Sequence, residues 1–65
     1  MTLWVNGEAR EAGAAATLGE LVAGLGLPAQ AVLVEHNGVA LRRDEWDRPL
    51  EAGDRIEIVR IVAGG

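Results

Sequence analysis

The last two residues, Gly64-Gly65, are where this sequence concentrates its chemistry. Glycine has no Cβ, so a Gly-Gly end is thin enough to thread a narrow channel. The carboxylate of Gly65 is then the exposed group at the tip. With an ordinary pKa of about 3.5 it is ionised at neutral pH and is a poor electrophile. Reaction at its carbon requires activation. An acyl adenylate formed from ATP supplies a good leaving group, and a sulfur nucleophile can then displace AMP. The chain has no cysteine to hold sulfur as a persulfide. The Gly65 carboxyl carbon is therefore the expected sulfur site, with Ala63 and Gly64 as the tail that delivers it.

Other chemistries are poorly supplied. The chain has no Ser, Cys, Lys or Tyr. That removes Ser and Cys nucleophiles, a Schiff-base lysine and the lysine of a phosphate loop. A single histidine, His36, cannot build a zinc site alone, and it reads as a strand residue near a turn. Glu35 and Asp54 are types that can do acid–base work. A 65-residue chain has little room for a deep pocket, so the expectation is a carrier and not an enzyme. Net charge is −4, and all six basic residues are arginine, with only Arg42-Arg43 adjacent. This is no phosphate-binding stripe, so nucleic acid is not an expected partner. No apolar run is long enough to cross a membrane, and the start lacks a signal-peptide pattern. A cytoplasmic setting is expected.

The elements that must position the tail are short. Thr2-Leu3-Trp4-Val5 reads as a strand, Asn6-Gly7 as a hairpin turn, and Glu8 to Glu11 as the return strand. Thr17 and Glu20 form a capping box, and Leu18, Leu21, Val22 and Leu25 make one apolar helix face. Gly26 suits the left-handed position after that helix, and Pro28 stops it. Gly19 and Gly24 weaken its interior by about 1 kcal/mol each. A strand region spans 31–36, Asn37-Gly38 turns it into Val39-Ala40-Leu41, and 42–49 is an irregular loop with one 3₁₀ turn, plugged by Trp46. The last strand is expected over 55–62.

One helix covering one face of a sheet of about five short strands predicts an α+β domain, with the mixed sheet curled around the helix. This is the β-grasp, or ubiquitin-like, arrangement, with a domain over 1–62 and a tail over 63–65. The expected core is Leu3, Val5, Leu18, Leu21, Val22, Leu25, Val32, Val34, Trp46, Leu50, Ile56 and Ile58. If Ile56 and Ile58 face the helix, Val59 and Ile61 face away from it. Apolar residues on an open sheet face suggest a binding surface, and Val59, Ile61 and Val62 are its candidates.

Nearly the whole chain resembles the ThiS family of thiamine-biosynthesis sulfur carriers. The matching segments are Asn6-Gly7, Thr17-Leu18-Gly19-Glu20-Leu21 and Val34-Glu35-His36-Asn37-Gly38. Further on come Arg43-Asp44-Glu45-Trp46, Leu50-Glu51-Ala52-Gly53-Asp54, and Ile56-Glu57-Ile58-Val59 running to Ala63-Gly64-Gly65. Arg42 departs from the pattern, because the family often has proline there. The resemblance implies that a ThiF-type enzyme adenylates Gly65 with ATP and Mg²⁺, neither of which this chain itself binds stably. Sulfur relayed by a desulfurase then makes a thiocarboxylate, and the thiazole synthase ThiG receives it. Rival readings are a carrier for tRNA thiolation, the small subunit of molybdopterin synthase, a ubiquitin-like protein modifier, and a plain interaction domain.

Overall fold

A computed structural model describes residues 1–61, and Val62, Ala63, Gly64 and Gly65 lie outside the described residues. Strand β1 (Thr2–Val5) turns through Asn6-Gly7 into β2 (Glu8–Glu11). Both turn residues have positive φ, 51° and 81°. That is the type I′ geometry whose twist matches a two-residue hairpin, and asparagine and glycine adopt it most readily. Along β1, Leu3 and Val5 are buried while Thr2 and Trp4 are exposed. All four residues of β2 are exposed, and its charges blunt a free sheet edge.

Helix α1 (Leu18–Gly24) follows. The Thr17 hydroxyl accepts the Glu20 amide at 3.2 Å, and the Glu20 carboxylate accepts the amides of Thr17 and Ala16 at 3.1 and 2.8 Å. The reciprocal box satisfies N-terminal amides that would otherwise lack partners. Gly26, at φ 75°, ends the helix, with its amide donating to the Ala23 carbonyl and the Leu27 amide to that of Val22. Leu18, Leu21 and Val22 are the buried face.

A 3₁₀ turn (Ala29–Ala31) leads into β3 (Val32–His36), and Asn37-Gly38 repeats the hairpin turn into β4 (Val39–Leu41). A second 3₁₀ turn (Arg43–Glu45) precedes Trp46, which is buried as a plug with the Arg43 guanidinium 4.7 Å from its ring centroid. Arg42 has φ −75° and ψ 158°, a conformation proline also adopts. Its N–H donates to the Glu45 carboxylate at 2.8 Å, a bond proline cannot make.

Strand β5 (Arg55–Arg60) completes a five-stranded sheet in the order β2-β1-β5-β3-β4. It runs parallel to β1 and antiparallel to β3. The sheet is mixed, curls around α1, and is the β-grasp arrangement. Among the described residues β5 ends at Arg60, and Ile61, expected to continue it, lies outside the strand, although its amide still donates to the Ala31 carbonyl at 2.7 Å. The core comprises ten of the twelve expected side chains plus Ala12 and Leu41. Leu25 and Ile58 are only half-buried, because they line an open groove with Val5, Leu27, Arg10 and Arg60. No helix among the described residues is long and apolar enough to cross a membrane.

Gly24 is a helical residue with negative φ, and a Cβ added there meets nothing within 4 Å. Gly24→Ala is expected to raise stability by about 0.5–1 kcal/mol through lower unfolded-state entropy. Chemical denaturation checks this, and a destabilised variant contradicts the open environment of that position.

Candidate functional site

The route to the tail is β5, and the protein grips it from both sides. β1 offers β5 only two register partners, Trp4↔Arg55 and Val5↔Ile56. Beyond them, the Asn6 backbone amide donates to the Ile56 carbonyl at 2.9 Å. The Asn6 side chain then extends the ladder, accepting the Ile58 amide at 2.7 Å and donating to the Ile58 carbonyl at 3.2 Å. A side-chain amide thus does the work of one further residue of strand, satisfying backbone groups that a central strand cannot leave unpaired. On the other side β3 pairs with β5 in five registers, from Val32↔Arg60 to His36↔Ile56.

The start of β5 is fixed by a polar cluster. Asp54 is 7% exposed. Its carboxylate accepts from His36 Nε2 at 2.8 Å, the Glu51 amide at 2.9 Å and Asn37 Nδ2 at 3.1 Å. The Asn37 side-chain oxygen accepts the Arg55 amide at 2.9 Å. Burial pushes the Asp54 carboxyl up, but the hydrogen bonds from His36, Glu51 and Asn37 outweigh it and hold its pKa below the usual carboxylate value. His36 is therefore a structural partner of Asp54. Glu35 is exposed and does not meet Asp54, so the two do not form an acid–base pair. The cluster was not anticipated from sequence. Its one signal is that His36-Asn37 and Asp54 flank turns at Gly38 and Gly53.

On the face of the sheet away from α1, side chains alternate along β5 as Arg55, Glu57 and Val59, and Ile61 follows the strand. Val59 is 55% and Ile61 48% exposed, and Leu33, opposite Val59 in register, is 58% exposed. These three apolar side chains lie where the chain leaves the sheet. Ile61 and Leu33 also line a shallow groove with Ala29, Leu41, Arg42 and Arg43. The remaining expected site residues, Val62, Ala63, Gly64 and Gly65, lie outside the described residues. A tail with two glycines and no large side chain is expected from the sequence to be disordered in the free chain, and that expectation too falls outside the described residues. No group of three or more metal-ligating side chains converges among the described residues.

Removing the Asp54 carboxylate strips three donors of their acceptor. Asp54→Ala is expected to cost about 1–3 kcal/mol at neutral pH. Because the folded-state pKa is depressed, its stabilisation is present above the unfolded value of about 3.9 and is lost as pH falls through the folded value. Glu11 and Glu45 are depressed as well, the first mainly by the Thr2 hydroxyl and the second mainly by the Arg42 amide. The acid limb of the stability profile should therefore become shallower in Asp54→Ala without vanishing. Thermal unfolding at pH 7 and pH 3 checks this, and parallel profiles for variant and wild type contradict it.

Comparisons with known proteins agree with this architecture. The model of the ThiS family matches residues 3–65. The crystal structure of the thiamine biosynthesis protein ThiS from Geobacter metallireducens superposes with a TM-score of 0.81 at 33% identity, covering 100% of both chains. A protein named thiazole synthase from Magnetococcus marinus is 36% identical over 66 residues, which is 100% of this chain and 20% of that protein. The chain thus spans about a fifth of that relative's length. On the family match and the full-length structural likeness, this chain belongs to the ThiS family, whose members are small sulfur carriers and not catalysts.

Proposed function

We propose that this chain carries sulfur for thiazole formation in thiamine biosynthesis, working through the carboxylate of Gly65. The observation that carries the reading is the family match, which runs through Gly64 and Gly65. The Gly65 carboxylate attacks the α-phosphate of ATP in a ThiF-type adenylating enzyme, and pyrophosphate leaves. A sulfur nucleophile supplied by a desulfurase system displaces AMP from the acyl adenylate, and the carboxylate becomes a thiocarboxylate. A thiazole synthase then accepts that sulfur. The similarity of this chain to part of a protein named thiazole synthase supports such a pairing. ATP and Mg²⁺ belong to the activating enzyme, and the cytoplasm is the setting for this chemistry.

The fold's contribution is to present the tail. β5 lies at the sheet centre between β1 and β3, held on both sides as far as Ile58 and beyond it by Val32 and the Ala31 carbonyl. Val59 and Ile61 form the exposed apolar surface near the end of β5, and Val62, the third expected contact residue, lies outside the described residues. Docking through this surface would hold the activating enzyme's ATP at one fixed distance from Ile61.

Two outcomes follow. One extended residue spans about 3.3–3.6 Å, and reacting atoms must approach to about 3–3.5 Å. Deleting Gly65, or adding one residue after it, is therefore expected to abolish ATP–pyrophosphate exchange with the activating enzyme while leaving the melting temperature unchanged. Wild-type exchange in both variants would contradict the terminal-carboxylate mechanism. Ile61→Asp places a charge in the apolar surface and is expected to weaken enzyme binding by about 1–3 kcal/mol without unfolding the domain. Titration calorimetry beside thermal unfolding measures both, and normal binding or a melted fold contradicts the assigned surface.

A further inference from the structure

Activation makes the Gly65 carbon an electrophile that an amine or thiol within reach can attack. The chain offers few such groups. It has no Lys, Cys, Ser or Tyr, so its nucleophiles reduce to the Met1 α-amine, Thr2, Thr17 and His36. All four stand at the end of the sheet where β5 begins. β1 runs parallel to β5 with Trp4 opposite Arg55, which puts Met1 and Thr2 at that end. The Met1 amine is ion-paired with Glu11 at 3.3 Å. His36 is bonded to Asp54, the residue before β5. Thr17 bridges Pro49, close in sequence to Glu51, whose amide Asp54 also accepts.

The end where β5 finishes carries cations of another kind. Four residues follow Ile61, and fully extended they reach at most about 13–14 Å. Arg60 adjoins Ile61, and Arg42 and Arg43 share a groove with it. By the register of β1 and β5, Met1 is about 30 Å from Ile61 at the usual rise per strand residue. The tail thus reaches three arginines and falls short of the amine. A guanidinium stays protonated and does not attack carbon, whereas a lysine always holds a fraction of free amine. A tether this short would keep such an amine at an effective concentration on the order of millimolar around the tip.

We propose that the end of the molecule bearing the tail is kept free of acyl acceptors, and that Arg42, Arg43 and Arg60 supply positive charge there without an amine, so that the activated Gly65 carbon is reserved for sulfur. The inference rests on the carrier reading above. In the reaction excluded, a lysine nitrogen bonds to the Gly65 carbon of the acyl adenylate, AMP leaves with the C–O electron pair, and a proton passes from nitrogen to water. Hydrolysis of a stray adenylate regenerates the carboxylate for another round. The amide is a dead end, so the choice of arginine over lysine decides whether the carrier can be used again.

Arg60→Lys and Arg42→Lys keep the charge and restore the amine. Each is incubated with a purified ThiF-type enzyme, ATP and Mg²⁺, with no sulfur donor, and its intact mass is read. Both variants should yield a species lighter by about 18 Da, the water lost on amide formation, with fragmentation joining the new lysine to Gly65. Its yield should rise about tenfold per pH unit between roughly pH 7 and 9, because the ordinary lysine pKa is about 10.4. The wild type should show no such species. Neither should Ala52→Lys, in the exposed turn where the Gly53 amide donates to the Thr2 carbonyl. If Arg60→Lys and Arg42→Lys support ATP–pyrophosphate exchange but lose no water, or if Ala52→Lys loses as much as they do, the proposal is overturned and the carrier reading stands. If the wild type itself supports no exchange, the carrier reading falls and this inference with it.

Discussion

The structure depends on how β5 is paired. It is the last strand in sequence and the middle strand in space, so nearly every long-range contact of the sheet passes through it. A central strand must satisfy its backbone groups on both sides, and β1 is too short to do so alone. The side chain of Asn6 supplies the missing pair at Ile58, and that of Asn37 holds the Arg55 amide. The two Asn-Gly turns thus have a second use. Each closes its own hairpin, and each lends an amide to the same distant strand.

This pairing orders two surfaces at once. One face of β5 puts Ile56 into the core beneath α1 and half-buries Ile58 at its margin. The other puts Glu57 and Val59 in solvent, with Ile61 following. Because side chains alternate, a register slip of one residue would exchange the two sets. The buried Asp54 cluster guards against such a slip at the start of the strand, since His36, Asn37 and Asp54 meet only in one alignment. On the proposed function, the same alignment sets how far the carboxylate of Gly65 reaches from the docking surface.

Much of this was legible in the sequence where the determinants are local. The Asn-Gly turns, the Thr17–Glu20 capping box and Gly26 each act over three or four residues, and each appears as read. The facing of Val59 and Ile61 followed from strict alternation after Ile56. What was not legible acts at long range. Nothing near Asn6 announces a bond to Ile58, 52 positions away, and His36 gives no sign of Asp54, 18 positions away. Leu25 and Ile58 fit the apolar periodicity, but the groove beside the helix end leaves them half-covered. Leu41 is buried while Val39, on the same side of β4, is 56% exposed, a difference set by the sheet edge and invisible to a pattern of apolar residues.

The central claim is that the activated and sulfur-loaded atom is the carboxyl carbon of Gly65. Intact mass spectrometry of the chain tests it most directly, after incubation with a ThiF-type enzyme, ATP, Mg²⁺ and a sulfur-donating desulfurase. Replacement of one oxygen by sulfur should add about 16 Da, and fragmentation should localise the gain to Gly65. An unchanged mass, or adducts of protein size in place of that small gain, would contradict the account.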